Sequence, residues 1–322
     1  MNMSNRPLKP AKSIGQHVYR LRRRGMTVRN VEAEQWFSNV SYYRLSAYWY
    51  PARKIAADGS TRADEFVPDT NFSDVTRLYE ADRKLRTLIH DGMERIEIAM
   101  RTQITETLCA KQPNEPDFYL SSGGFRTRFD HVGWLSTIYG RLNRGKKNEA
   151  VKHYAAEYGG RYPLWVLAEV MDFSDMSRLF AGLGNNDQRK IAENLDLHIN
   201  FNTLSNNQRD RLSKGHPLAS WLEQLTVVRN ICAHHGRLWN KSFAPASAEI
   251  LKHNGNLHLI PGPQNERIFG SMVFMSHLLR KISPGTTWPE KVIHLLTDSF
   301  LPNPLVRANS LGIPQGWDQQ TI

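Results

Sequence analysis

Cysteine is scarce: Cys109 and Cys232 are the only two among 322 residues. A disulfide scaffold is excluded, and so is a four-cysteine zinc site within one chain. Long apolar runs are missing as well. No window approaches the roughly 18–20 uninterrupted apolar residues a membrane-spanning helix needs. The best stretch, Tyr162 to Met171, is short and carries Glu169. The N-terminal stretch Met1 to Lys12 is polar, contains Pro7 and Pro10, and lacks the apolar segment of a secretory signal. There is no fixed-period repeat and no low-complexity tract. Strand-like alternation is rare, Leu257-His258-Leu259-Ile260 being the one tempting piece. These absences predict a predominantly α-helical protein that is soluble, reduced, cytoplasmic and without a membrane partner.

Acidic residues are the minority. Lys and Arg number 42 against 31 Asp and Glu, a net charge of +11 and a pI near 9.7. Such an excess points to a polyanionic partner, of which nucleic acid is the commonest. The hydrophobic fraction of 40% and charged fraction of 23% are ordinary for a globular chain, so a sizeable core can be buried.

Helical periodicity dominates what is present. Val18 to Gly25 carries Arg20, Arg22, Arg23 and Arg24 and stops at glycine, which reads as a short basic helix. Its arginines fit a phosphate-contacting surface or simply a solvated face. Helical spacing continues over Val31 to Trp49. Within it Tyr42-Tyr43-Arg44-Leu45-Ser46-Ala47-Tyr48-Trp49 is rich in aromatics, a composition that suits a packed core more often than a base-stacking surface. Asp58-Gly59-Ser60 is a turn. Phe72 to Cys109 is the longest periodic segment, with one apolar stripe through Leu78, Leu85, Ile89, Met93, Ile96, Met100 and Ile104. Asp82 with Arg86 and Glu97 with Arg101 stand four apart on it, while Glu94 and Arg95 border the stripe. Further helices are expected over Phe129 to Asn143, Glu149 to Tyr158, from Pro163 through Leu179, over Arg267 to Ile282 and over Glu290 to Leu301. Arg144, Lys146 and Lys147 form a second basic stretch with Arg141 and Lys152.

The chemistry-bearing segment is Ser220 to Asn240. Trp221, Leu225, Val228 and Cys232 give one apolar face, and Pro217 suits the first helical turn. Opposite stand Arg229, Asn230, His234, His235 and Arg237. Asn230 and His234 lie four apart, so the amide can meet the imidazole and set its tautomer. Arg229 and His234 lie five apart, and on a straight helix their side chains diverge by about 140°. A second chain related by a two-fold axis would supply the complementary pair. RNA can be cut without metal when its own 2′-OH attacks the adjacent phosphate. A histidine moves the protons and an arginine stabilises the developing charge. The plainer alternative is a helix C-terminus, where His234, His235 and Arg237 complement the macrodipole before a break at Gly236.

Arg229-Asn230-Ile231-Cys232-Ala233-His234 resembles the Arg-x(4–6)-His motif of HEPN ribonucleases. The wider chain resembles the bacterial abortive-infection (Abi-like, AbiD/AbiF) family of that superfamily. The resemblance rests on Tyr42 to Trp49, Leu78 to Arg86 running into Glu94-Arg95-Ile96-Glu97, Pro163 to Phe180, Val228 to Asn240, and Leu311-Gly312-Ile313-Pro314-Gln315-Gly316-Trp317. It implies an all-α, HEPN-type helical bundle with additional N-terminal and C-terminal helices. It implies metal-independent RNA cleavage in phage defence, with neither metal nor other cofactor, and in some members restraint by a small non-coding RNA. Arg229 and His234 carry over as catalytic and Asn230 as supporting. His235 also satisfies the spacing, so count alone does not settle the histidine; His234 is favoured because Asn230 can orient it. The expected organisation is a basic, aromatic N-terminal segment over 1–60, a core carrying the motif over 61–282, and a C-terminal helix and tail over 283–322. Arg20, Arg22, Arg23, Arg24, Arg44, Arg144, Lys146, Lys147 and Arg237 are the expected RNA contacts. The alternative is a non-catalytic RNA-binding protein. A homodimer is expected, because the Arg–His offset is easier to satisfy from two chains.

Overall fold

The computed structural model describes residue 8, residues 10–262 and residues 264–322. Most of the polar N-terminal stretch, residues 1–7 and 9, lies outside the described residues. The chain gathers into two compact units. One reaches to Lys84 and adds His294–Arg307; the other holds Leu85–Ile293 and Ala308–Ile322. Helix predominates throughout, and the strands among the described residues are two short antiparallel pairs.

The first unit begins with α1 (Ile14–Arg23). Its N-terminus is a capping box in which the Gln16 N–H donates to Ser13 Oγ and the Ser13 N–H donates to Gln16 Oε1 at 2.9 Å. The expected continuous helix over Val31 to Trp49 is in fact two, α2 (Asn30–Asn39) and α3 (Tyr42–Trp49). Ser41 restarts the chain as a cap, its hydroxyl accepting from the Arg44 N–H at 3.2 Å. Tyr42, Tyr48 and Trp49 are buried, and the His17 ring stacks on Tyr42 at 4.1 Å. Tyr48 Oη donates to the buried Asp82 carboxylate at 2.7 Å. Three of the block's four aromatic rings are therefore core, as its composition suggested, while Tyr43 is exposed. A hairpin that the sequence reading missed follows, β1 (Arg53–Ile55) against β2 (Arg62–Phe66), around the Asp58–Ser60 turn.

The long helix α4 (Phe72–Cys109) has the bounds its apolar stripe predicted, and every residue of that stripe is buried. The second unit continues with α5 (His131–Arg144) and α6 (Glu149–Glu157). The expected helix from Pro163 through Leu179 is divided into α7 (Leu164–Val170) and α8 (Phe173–Gly182). Asp172 and Asp175 form a capping box that starts α8 anew, which the unbroken apolar periodicity concealed. After α9 (Asn185–Asn194) and α10 (Asn206–Lys214) comes α11 (Leu218–Ala233), which carries the motif. Leu257 to Ile260 is not a strand; it lies at a 3₁₀ turn, Gly255–Leu259, between β3 (Ala246–Ser247) and β4 (Gln264–Asn265). The chain closes through α12 (Ile268–Ile282), α13 (Trp288–Leu295) and α14 (Ala308–Leu311).

The core of the second unit forms where α11 meets α8 and α12. The Trp221 ring stacks flat on Phe274, 4.3 Å between centroids. At the centre Gln224 is fully buried and fully satisfied. Its amide N–H groups donate to the Ala244 and Asn265 carbonyls at 2.6 and 2.8 Å. Its oxygen accepts from Asn265 Nδ2 and Ser271 Oγ at 3.0 and 2.7 Å. Such a network fixes one register for α11, because a shift would strand several buried polar groups. Gly92 lets α4 approach closely: a Cβ there would meet Met275 Cε at 2.8 Å and the Trp288 ring at 3.0 Å. Among the described residues no helix is long and apolar enough to cross a membrane.

Candidate active site

Helix α11 presents its motif at its C-terminal end. Leu222, Leu225, Val228 and Cys232 face the core, so Arg229, Asn230 and the residues after Ala233 fall on the outer side. The helix ends at Ala233. The His234 N–H bonds the Asn230 carbonyl at 3.0 Å, and the Gly236 N–H reaches back to the Ile231 carbonyl at 2.7 Å. The left-handed residue of this stop is His235, with φ +54°, rather than Gly236, where the sequence had placed the break. Gly236 is small for another reason: a Cβ there would lie 2.8 Å from Ile231 Cγ2 and 3.2 Å from the Ile231 carbonyl. A left-handed histidine at a helix stop carries strain that glycine would not. The turn is tied from outside by Arg86, which donates to the Gly236 carbonyl at 3.4 Å. Beyond it Leu238 and Trp239 are buried, and Trp239 Nε1 donates to Ser310 Oγ at 2.9 Å.

Arg229 is half-buried, its side chain 34% exposed, and lies at the edge of a cleft of about 560 Å³ along α4. One Nη stands 3.9 Å from Glu97 Oε2, and the other donates to Asn230 Oδ1 at 3.4 Å. Glu97 in turn accepts from Arg101 at 2.6 Å, the i,i+4 pair expected from the sequence. Arg101 also donates to the Met171 carbonyl at 2.7 Å. His90, Asp91 and Glu94 line the same cleft. The expected side-chain bond between Asn230 and His234 is replaced: the amide oxygen serves Arg229, and only the Asn230 backbone carbonyl meets His234. His234 and His235 are exposed past the helix end and do not line the cleft. Within one chain Arg229 and the histidines are neighbours along the surface, not partners across a pocket. Both kinds of side chain are open to solvent.

The expected RNA contacts divide sharply. Arg24 is 9% exposed and paired with Asp64 of β2, and Arg22 donates twice to the Val28 carbonyl, at 2.6 and 3.1 Å. These two arginines are therefore spent on the fold, and Arg24 does not belong to a solvent-facing basic surface. The side chains of Arg20 and Arg23 make no hydrogen bond or ion pair among the described residues, although the Arg20 carbonyl accepts the Arg24 N–H. Arg44 lies against Tyr79, donating to its Oη at 3.3 Å. Arg237 lies over the Trp239 ring at 5.6 Å. Arg144, Lys146 and Lys147 are all exposed around the turn from α5 to α6. Their neighbour Arg141 is not part of that surface: it is held by Asp172 and Asp175, and the Asp175 hydrogen bond raises its pKa. Among the described residues no group of three His, Cys, Asp or Glu is arranged to hold a metal ion.

Sequence reasoning singled out the motif but missed Arg86 and Glu97 as its supports. Each was visible only as half of an i,i+4 pair on α4, with no sign of a partner on α11. Against known proteins, the family described as Abi-like protein matches residues 35–240. The matched span includes α11 and the turn carrying both histidines; the N-terminal arginines and Leu311 to Trp317 fall outside it. No curated protein and no solved structure matches the chain.

Proposed function

The chain belongs to the family of Abi-like proteins, and on that footing we propose that it acts in abortive infection as a metal-independent HEPN endoribonuclease. The observation that carries this reading is the end of α11. A half-buried arginine and two exposed histidines stand together on the surface, in a protein with a net charge of +11. The RNA 2′-OH attacks the adjacent phosphorus, and the 5′-oxygen leaves. Either histidine can act in the two proton transfers, the imidazole base taking the proton from the 2′-OH and an imidazolium supplying one to the leaving 5′-oxygen. Arg229 stabilises the charge gathering on the phosphoryl oxygens, and Glu97 and Asn230 orient it. His234 is the favoured acid–base group, since it directly continues the helical run from Arg229. Because Arg229 faces the α4 cleft while the histidines project past the helix end, a two-fold pairing of these ends completes the site. Arg229 of one protomer would then meet His234 of its partner. A bound non-coding RNA would restrain the enzyme by occupying the same phosphate-binding surface.

The test is cleavage of a defined RNA by the wild type, Arg229→Ala and His234→Ala, each checked for folding by circular dichroism. The wild type is expected to leave 2′,3′-cyclic phosphate ends, and each variant to lose about 100-fold or more in rate. Undiminished cleavage by both variants overturns the assignment. The exposed cluster Arg144, Lys146 and Lys147 favours a second reading: a ribonucleoprotein that grips RNA without cutting it. That reading expects RNA to co-purify, shown by the ratio of absorbance at the nucleic-acid and protein maxima. It also expects affinity to fall steeply with salt, with no cleavage.

A further inference from the structure

A second cavity, of about 280 Å³, lies at the opposite end of α11, between α9 and α10. Its lining is Asn185, Arg189, Phe201, Arg209, Leu212, Ser213 and His216, with no carboxylate among them. The α4 cleft, by contrast, carries three. Two acids on the same helices are already engaged, Asp187 by Lys111 at 2.8 Å and Asp210 by Lys214 at 2.7 Å.

His216 is the distinctive member. It is 5% exposed, and its Nδ1 accepts the Leu218 N–H at 3.1 Å, so the neutral ring carries its proton on Nε2. That Nε2 is buried and has no hydrogen-bond partner. Burial, reinforced by the Arg189 charge, lowers the His216 pKa to about 4, so the ring is a neutral donor at pH 7. A buried donor without an acceptor calls for an explanation, and a ligand oxygen supplies one. The surrounding groups suit an anion with an aromatic body. Arg189 lies over the exposed Phe201 ring at 4.4 Å, forming a stacked cation and π face. Arg209 holds the Phe201 and Leu204 carbonyls through Nη2 and Nε, leaving Nη1 for another acceptor.

We propose that this cavity is a nucleotide-phosphate site: Arg189, Arg209 and the Nε2–H of His216 hold a terminal phosphate monoester, and Phe201 and Leu212 flank the base. It stands independently of the ribonuclease reading, since roughly 25 Å of helix separates His216 from His234.

The experiment is calorimetric titration of the whole protein with AMP, adenosine, and a short RNA with and without a 5′-phosphate. AMP is expected to bind about tenfold or more tightly than adenosine, and the phosphorylated RNA to exceed its unphosphorylated twin if RNA ends are the source. Binding of AMP alone assigns a free nucleotide. Arg189→Gln and Arg209→Gln, both at exposed positions, are each expected to weaken binding about tenfold. His216→Asn keeps an oxygen for the Leu218 N–H but removes the Nε2 donor, and is expected to weaken AMP while its melting curve shows it folded. Arg229→Ala is expected to bind AMP normally, so that a failure here is distinct from a failure at the other end of α11. The proposal is overturned if phosphorylated and unphosphorylated ligands bind alike or not at all up to about 10 mM. It is equally overturned if the arginine variants bind unchanged.

Discussion

His235→Gly separates the two histidines of the motif by thermodynamics as well as chemistry. His235 holds φ at +54°, a conformation in which an L-residue with a Cβ is strained by about 1–2 kcal/mol. Glycine removes that strain but adds freedom to the unfolded chain, worth about 0.4–1 kcal/mol in the other direction. The net expectation is a gain of about 0.5–1 kcal/mol, a rise in Tm of roughly 0.7–1.5 °C for a chain of this size. Urea and thermal unfolding, followed by circular dichroism, measure it. The partner variant His234→Ala removes an exposed ring and is expected to change stability by less than about 0.5 kcal/mol. If His234 moves the protons, the glycine variant cuts RNA within a few-fold of wild type while His234→Ala is inactive. A stabilised but inactive His235→Gly would refute the choice of His234 and transfer the role to its neighbour. A loss of more than about 1 kcal/mol in His235→Gly would refute the strain argument itself.

Other expectations follow from single contacts. Gly236→Ala places a Cβ 2.8 Å from Ile231 Cγ2, and a loss of about 1–2 kcal/mol in urea unfolding is expected; unchanged stability would show that the turn yields freely. Tyr48→Phe strips the buried Asp82 carboxylate of a 2.7 Å hydrogen bond and should destabilise by about 1–3 kcal/mol, and a neutral result would contradict the burial. The His216 pKa is lowered from 6.5 to about 4, so the unfolded chain binds a proton that the folded one refuses between those values. Its contribution to stability is complete above about pH 6.5 and is lost as the pH falls toward 4, about 3 kcal/mol over that window. Buried His17 and His277, both lowered chiefly by burial, act in the same sense. Unfolding free energies measured across this range should fall with acid, and His216→Asn should flatten the slope; an identical slope in the variant would refute the assignment.

Much was written in the chain itself. The apolar stripe of α4 gave its bounds because no cap or proline interrupts a single face from Phe72 to Cys109, and the aromatic block pointed to a core because so dense a group of rings packs inside more often than it stacks on bases. The motif and its family were legible for the same reason: a short run along one helix keeps its order in sequence. Periodicity is blind to breaks that preserve the apolar phase, so the restarts at Ser41 and Asp172 showed only as capping residues. The charged hairpin of β1 and β2 gave no alternation to read, and with it went the fate of Arg24, which pairs with Asp64 only once the hairpin forms. Tertiary structure alone decided that Glu97 stands beside Arg229 and that Arg86 holds the turn after α11. It alone gave His216 a buried ring with one nitrogen bonded and the other bare. Local order along a helix is set by neighbours three and four apart, which the sequence records. A contact between residues more than a hundred positions apart is set by packing, which appears only when the helices have met.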